Sequence, residues 1–387
     1  MKECNKIILL NHGNKVRFRQ LLKHGIIRLD CTRFTRIGGN EIKIILNEVS
    51  KCLSLYKRGF RKLEIYFDRF TFADKLTYII FECIIYDLFK SYEIIIDIKF
   101  NEMNYSLQTK GVSESIFKEL INGDIDYKEF VRKFSKIYKE CHFRKVIDGN
   151  APDDSLDLCD LMSEIKTFLK YFEIDELYRN QISEMICELA DNAREHTKTD
   201  CLIDIDVTTN YFKYNNNDKN YCALNIVIIN FSDTCLGDSL KEKILNFKYN
   251  NSERYEKVNE AYNIHKQLFD KDYGIEDFFN IVSFQDKVSG RFYDTSSGGT
   301  GLTSLITSLE ENSDTHYGYV LSGNRGINFK LDYLKFNEDE WIGFNEENDF
   351  INKIPSKDVI LTSPTYIPGT AYNFTLVVEI GGYNNGR

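Results

Sequence analysis

Glu188-Leu189-Ala190-Asp191-Asn192-Ala193-Arg194-Glu195-His196 and, about a hundred residues later, Ser297-Gly298-Gly299-Thr300-Gly301-Leu302 are the stretches on which the fold turns. In the first, Glu188, Asn192 and His196 recur every fourth residue, which on an α-helix sets all three along one face. The second is a glycine-rich turn that opens on Leu302-Thr303-Ser304-Leu305-Ile306-Thr307-Ser308-Leu309, an apolar pattern of helical period. The first turn of such a helix has backbone N–H groups without intrahelical partners, and these can cradle a phosphate. A helical carboxylate and amide facing that turn could hold a water, a magnesium ion and a nucleoside triphosphate. Taken singly, the motifs also read as a solvated helix face and a ligand-free glycine loop. Their joint presence, in this order, weighs against both.

Around these motifs the pattern alternates between helix and strand. Leu156–Phe172 and Glu176–His196 read as helices, Cys201–Thr209 and Tyr221–Asn230 as strands joined by the polar loop 213–220. A long mixed segment follows, with a helix expected at Tyr273–Asn280. After the glycine turn come a helix, Leu302–Leu309, and strands at Tyr317–Ser322, Ile327–Tyr333 and Tyr372–Glu379. Trp341 and the acidic run Asn337-Glu338-Asp339-Glu340 read as a surface insertion.

Residues 1–107 form a separate α/β pattern. Ile7–Leu10 and Gly25–Leu29 are short strand candidates. Asn40 reads as an N-cap for a helix to Tyr56, with Ile42, Ile44, Ile45, Val49 and Leu53 turned to a core. A strand Lys62–Phe67, a helix Ala73–Phe89 and a strand Tyr92–Phe100 complete it. Residues 108–154 read as a helical connector ending in the turn-rich Asp148–Ser155. The expected organisation is therefore α+β in two domains, 1–107 and 155–387.

Composition narrows the function classes. The chain has 387 residues, is 42% hydrophobic and 14% aromatic, and contains four prolines, which suits a folded protein with a sizeable core. A net charge of −9 argues against a protein that coats nucleic acid. Residues 1–36 depart from that average, with nine basic residues, Arg17 and Arg19 among them, against Glu3 and Asp30. A solvated edge is the favoured reading there and a nucleic-acid surface the other. Ten cysteines without a C-x-x-C pair fit a reducing compartment and no zinc site. No signal peptide is expected at the start of the chain. The most apolar segment, Leu76–Phe89, is too short to span a bilayer and carries Glu82 and Asp87. A cytoplasmic protein with no membrane contact is expected.

The C-terminal region resembles the GHKL ATPases, the gyrase, heat-shock chaperone, histidine kinase and mismatch-repair types. Glu188-x-x-x-Asn192-x-x-x-His196 resembles their N box, in the form found in bacterial anti-sigma kinases and related ATP-binding proteins. Ser297–Leu302 resembles the G2 box, and Pro368-Gly369-Thr370 the Gly-Thr element near adenine. The resemblance covers about 155–380 and implies a Bergerat fold, with helices on one face of a mixed, mostly antiparallel sheet and a lid over about 249–297. It implies ATP and Mg2+ as cofactors, with Asn192 a metal ligand through its carbonyl oxygen and Glu188 orienting or deprotonating the attacking water or hydroxyl. Gly298, Gly299, Thr300, Gly301 and Leu302 would hold phosphate, His196 phosphate or the lid, and Thr370 the base. Arg291, or Lys287, would reach the γ-phosphate from the lid.

The G1 box departs from the family. An Asp normally follows its apolar strand, with Gly two residues on; here Asn230 and Ser232 stand at those places. Asn can still accept from an exocyclic amine; Asp233, with Gly237 four residues on, is the alternative base reader. Residues 1–107 resemble a STAS-type partner-binding module. The expected function is Mg2+-dependent ATP hydrolysis whose lid closure controls a protein partner, with homodimerisation as in the family. The alternatives are a serine/threonine kinase of the anti-sigma type, or a non-hydrolysing sensor or scaffold in a bacterial stress or antiphage system.

Overall fold

A computed structural model describes residues 5–10, 25–55, 61–100, 127–150, 157–211, 219–249, 252–289, 301–312 and 318–381, with 112, 116 and 120. The chain begins with α1 (Asn5–Leu10), β1 (Ile26–Asp30), β2 (Arg36–Ile37) and α2 (Gly39–Leu55). β3 (Lys62–Phe67), β4 (Thr71–Phe72), α3 (Lys75–Tyr92) and β5 (Ile95–Phe100) follow. Strands β1, β3 and β5 form a parallel sheet in that order, as alternating strands and helices require. The Ile7–Leu10 strand is corrected: those residues lie in α1, with Ile7 and Ile8 buried. A short apolar run does not by itself distinguish strand from buried helix.

Helix α3 starts where Asp74 accepts from the Thr77 N–H at 2.8 Å and stops at Glu93, whose φ of 53° is left-handed. Every residue from Lys75 to Phe89 is buried. A helix that is apolar nearly all round belongs between two layers, and α3 packs against both β5 and the larger sheet described next. No helix among the described residues is long and apolar enough to cross a membrane.

The chain continues through α4 (Tyr127–Ser135), β6 (Lys136–Tyr138), β7 (His142–Ile147), α5 (Asp157–Lys170) and α6 (Glu176–Thr197). Then come β8 (Cys201–Tyr211), β9 (Asn220–Asn230), α7 (Asp238–Leu245), α8 (Glu253–His265) and α9 (Ile275–Val282). Last are α10 (Gly301–Asn312), β10 (Gly318–Asn328) and β11 (Ile360–Ile380). Six strands form one antiparallel sheet in the order β10-β11-β9-β8-β7-β6. The fold class is thus α+β. One face of the sheet carries α5, α6 and α10, and the other carries α1, α2 and α3.

Side chains on each strand alternate between these faces. Ile203, Ile205, Ile226, Ile228, Phe374 and Leu376 enter the core under α5 and α6. Helix α6 meets them with Ile182, Met185, Ile186, Leu189 and Ala190, a stripe of helical spacing. Leu202, Val227, Ile229, Phe231 and Ala371 point the other way, into the core shared with α2 and α3. Thr365 Oγ1 adds a hydrogen bond to the Gly39 carbonyl at 2.7 Å, tying β11 to the start of α2.

Three further expectations change. The connector 108–154 is helical at α4, but its 136–147 part is the hairpin β6–β7 and extends the large sheet. His142 and Arg144 disguised it, since a strand that buries charged residues does not alternate in hydropathy. Of the expected strand Ile327–Tyr333, β10 takes only the first two residues, and Leu331–Tyr333 is a 3-10 turn. Trp341 is 6% exposed rather than in a surface insertion: it stacks on Phe350, and the Arg254 guanidinium lies 3.5 Å from its ring centre.

Candidate functional site at the end of the sheet

The helix α6 stripe that packs on the sheet leaves Glu188 and Asn192 at its margin, one turn apart and each half-buried. Beside α6 lies α10. Its first residue is Gly301, and Leu302 in its first turn packs against the core. Gly298, Gly299, Thr300 and Arg291 lie outside the described residues, as does the side chain of His196.

Where α6 ends, β9 and β11 bring two more of the expected residues together. Asn230 and Thr370 are cross-strand partners, 5% and 8% exposed. Both point to the face covered by α6, because Ile228 and Tyr372, two residues away on each strand, belong to that core. Asn230 Nδ2 donates to Thr197 Oγ1 at 3.3 Å and to Thr199 Oγ1 at 3.4 Å; these two hydroxyls are 2.6 Å apart. The sequence pattern assigns these threonines no role. Their only signal is a run of small polar residues, Thr197-Lys198-Thr199-Asp200, between a helix and a strand.

Gly369 explains how the strands meet so closely. Its φ is +89°, and a Cβ there would lie 2.3 Å from the Asn230 carbonyl oxygen and 2.8 Å from the Ser232 nitrogen. Only glycine fits that conformation and that gap. Ser322 Oγ donates to the Gly369 carbonyl at 2.6 Å, holding the turn from β10.

Two further charged candidates are engaged in ion pairs. The Asp233 side chain is 84% exposed and pairs with Lys6 of α1 at 2.7 Å. Lys287, at the border of the expected lid, pairs with Glu340 at the surface. Of that lid, 252–289 is folded as α8 and α9 over an aromatic cluster that includes Tyr262, His265, Phe278 and Phe279. His265 Nδ1 is 2.6 Å from the Tyr273 hydroxyl, and burial lowers the pKa of the imidazole to about 4.

A second polar group lies on the opposite face of the sheet. His142, Asp204 and Asp206 have the donor types and spacing of a metal site. Lys75 already supplies a cation there: its Nζ is 2.7 Å from Asp204 Oδ1, 2.7 Å from Asp206 Oδ2 and 2.8 Å from the Asn225 carbonyl. Arg144 donates to Asp204 and, at 2.6 Å, to Glu82, while His142 Nε2 is 2.8 Å from Asp204. Burial pushes the Asp204 carboxyl up, but Arg144, His142 and Lys75 outweigh it and hold the group well below the usual carboxylate range. Burial raises Glu82 against the pull of Arg144. The cluster is a buried ion network joining α3 to β7 and β8.

Compared with protein-family models, with curated proteins and with solved structures, the chain matches none. Its functional reading rests on its own residues.

Proposed function

We infer that the chain binds ATP with Mg2+ at the end of the six-stranded sheet and hydrolyses it, in a fold of the Bergerat type. The observation that carries the reading is the pairing of Asn230 with Thr370 at the C-terminal end of α6. Residues 140 positions apart, both expected to read the base, meet at the end of β9 on the sheet face covered by α6, the helix of Glu188 and Asn192. The order α6, β8, β9, intervening helices, α10, β10, β11, with helices α6 and α10 side by side on an antiparallel sheet, supports the same reading.

In this reading Asn230 keeps its amide nitrogen on the threonines and offers Oδ1 to the adenine amino group. The Thr370 hydroxyl adds a second contact to the base. The Asn192 carbonyl oxygen is a hard, neutral ligand suited to magnesium, and bound Mg2+ would supply charge neutralisation on the phosphate oxygens. Glu188 accepts the proton of the attacking water. The N-terminus of α10 turns its free N–H groups to phosphate. Helices α8 and α9 share one aromatic core and would close as a unit. The Lys6–Asp233 ion pair links α1 to the loop after Asn230, a path by which nucleotide occupancy reaches the N-terminal, partner-binding part of the chain.

Purified protein with γ-labelled ATP and Mg2+ tests this. Wild type is expected to release phosphate, Glu188→Ala to bind ATP but lose release by a factor of roughly 100 or more, and Asn192→Ala to lose Mg2+-dependent binding. Label appearing on an added protein would turn the reading to a kinase, and tight binding without release to a sensor. If neither ATP nor ADP raises the melting temperature, the assignment fails.

A further inference from the structure

Beside the strand end, on the far side of the loop that follows Asn230, is a cleft of about 130 Å³ between α7, α9 and the β10–β11 edge. Glu188, Asn192, Asn230 and Thr370 are not among its lining residues. Three backbone features build it. Gly237 lets the start of α7 touch α9, since a Cβ there would lie 2.6 Å from the Phe279 carbonyl carbon and 2.8 Å from the Asn280 nitrogen. Gly323, with φ +61°, sits at a register shift between β10 and β11, which turns that edge outward. The third is a clamp: Asp277 accepts from the Gly274 N–H at 2.8 Å and from Arg325 Nε at 2.7 Å, fixing α9 against β10.

The polar groups in this cleft are used unevenly by the protein. Cys235 and Tyr366 face one another at 3.8 Å. Burial raises the Cys235 thiol above its ordinary pKa and the Tyr366 phenol to about 12, so both stay protonated at neutral pH. Asn280 is 5% exposed, yet its side-chain amide has no hydrogen-bond partner among the described residues. An amide that the protein leaves uncommitted and that opens into a cleft is available to a ligand. Lys241, half-buried, and Glu276, exposed, line the same cleft, and neither forms an ion pair among the described residues. With Asp238, whose Oδ2 accepts from the Cys235 N–H at 2.7 Å, the cleft thus holds two carboxylates, one ammonium and one little-exposed amide.

We propose that this cleft binds a small zwitterion of the α-amino-acid class, with the ligand's carboxylate on Lys241, its ammonium on Glu276, and its polar atoms on Asn280. Asp238 is already engaged by the Cys235 N–H, so a ligand with a single charge would meet Lys241 or Glu276 but not both, and an apolar ligand would meet neither of them nor the Asn280 amide. The site does not rest on the nucleotide reading. It adjoins the loop bearing Asp233, so an occupant here would bear on the nucleotide end of the sheet.

The test is calorimetric titration of the full chain with each of the common free amino acids, followed by the methyl ester and the N-acetyl derivative of the tightest. The expected result is saturable binding of at least one amino acid, weakened about tenfold or more by either modification, each of which removes one charge-assisted contact. Lys241→Met should abolish the distinction between acid and ester, and Glu276→Gln the distinction between amine and N-acetyl. Both are surface changes, and an unchanged melting temperature without ligand shows that the variants fold. Absence of binding by every amino acid overturns the proposal. So does equal binding of free acid, ester and N-acetyl forms by the wild-type protein, a comparison that needs no variant. Nucleotide-free protein is used throughout, so failure here leaves the ATP assignment standing, and failure of ATP binding leaves this site untouched.

Discussion

On the sheet face turned to α5, α6 and α10, apolar side chains fill the middle and polar ones gather at one end, around Asn230, Thr370 and the margin of α6. On the face turned to α3, the polar groups sit in the middle instead: Lys75, Glu82, Arg144, His142, Asp204 and Asp206, all buried. The contrast separates two uses of buried polarity. Polar residues at the end of a packed face remain able to meet a ligand. Polar residues enclosed between two layers satisfy one another, and their ion pairs set how α3 docks on β7 and β8. An apolar interface tolerates sliding by a residue, whereas charge partners enclosed between layers do not, because a shifted ion is left unpaired.

The strongest way to break the contrast is Arg144→Met. Arg144 is fully buried, and its removal takes the cation from Glu82 and leaves Asp204 with Lys75 and His142 alone. A loss of about 3–5 kcal/mol in urea unfolding is expected. Adding Glu82→Gln should restore part of it, because the damage lies in the stranded carboxylate. A loss below about 1 kcal/mol for the single variant would show that the network carries little.

Acid should act on the two sides in different windows. His265, in the helix-side core, is buried with its pKa lowered from 6.5 to about 4. The unfolded chain therefore takes up a proton that the folded chain refuses between those values. This stability is present above pH 6.5 and is lost as pH falls toward 4, by about 3 kcal/mol in all. His265→Phe should flatten the stability curve in that window relative to wild type. Asp204, held in its charged form, contributes above its ordinary 3.8 and loses that contribution only as pH falls further, through its lowered folded value. Unfolding measured from pH 7 to 3 would show the first loss in wild type and not in the His265 variant; coincident curves would remove His265 from the account.

The smallest expected effect is at the surface pair. Lys6→Ala removes the contact with a largely exposed Asp233, and less than about 1 kcal/mol should be lost. Whatever function the pair has would therefore appear in nucleotide-dependent behaviour at unchanged stability. A larger drop in stability would make Lys6 part of the core packing of α1 instead.

Much of this was legible in the chain itself. The stripe Ile182, Met185, Ile186, Leu189 and Ala190 has helical spacing and forms α6. The apolar run 224–229 forms β9, and the alternating strands and helices of 1–107 form a parallel sheet. Local periodicity carries such elements because each buries a face of its own. Asn230 and Thr370 could be selected from their places after and within apolar strands, but their pairing needed the register of β9 on β11.

What only the tertiary structure decided is what lies between elements. The hairpin β6–β7 is hidden in sequence because His142 and Arg144 look like surface residues until Asp204 and Glu82 are found opposite them. Helix α3 looks like an over-apolar anomaly until a sheet is seen on each side. The Asn280 amide, the Lys241 and Glu276 charges and the two glycines of the cleft come from three separate stretches of chain. Hydropathy patterns report which residues leave water. They do not report partners, because the partner of a buried charge or amide is set by distance in space and not by distance along the chain.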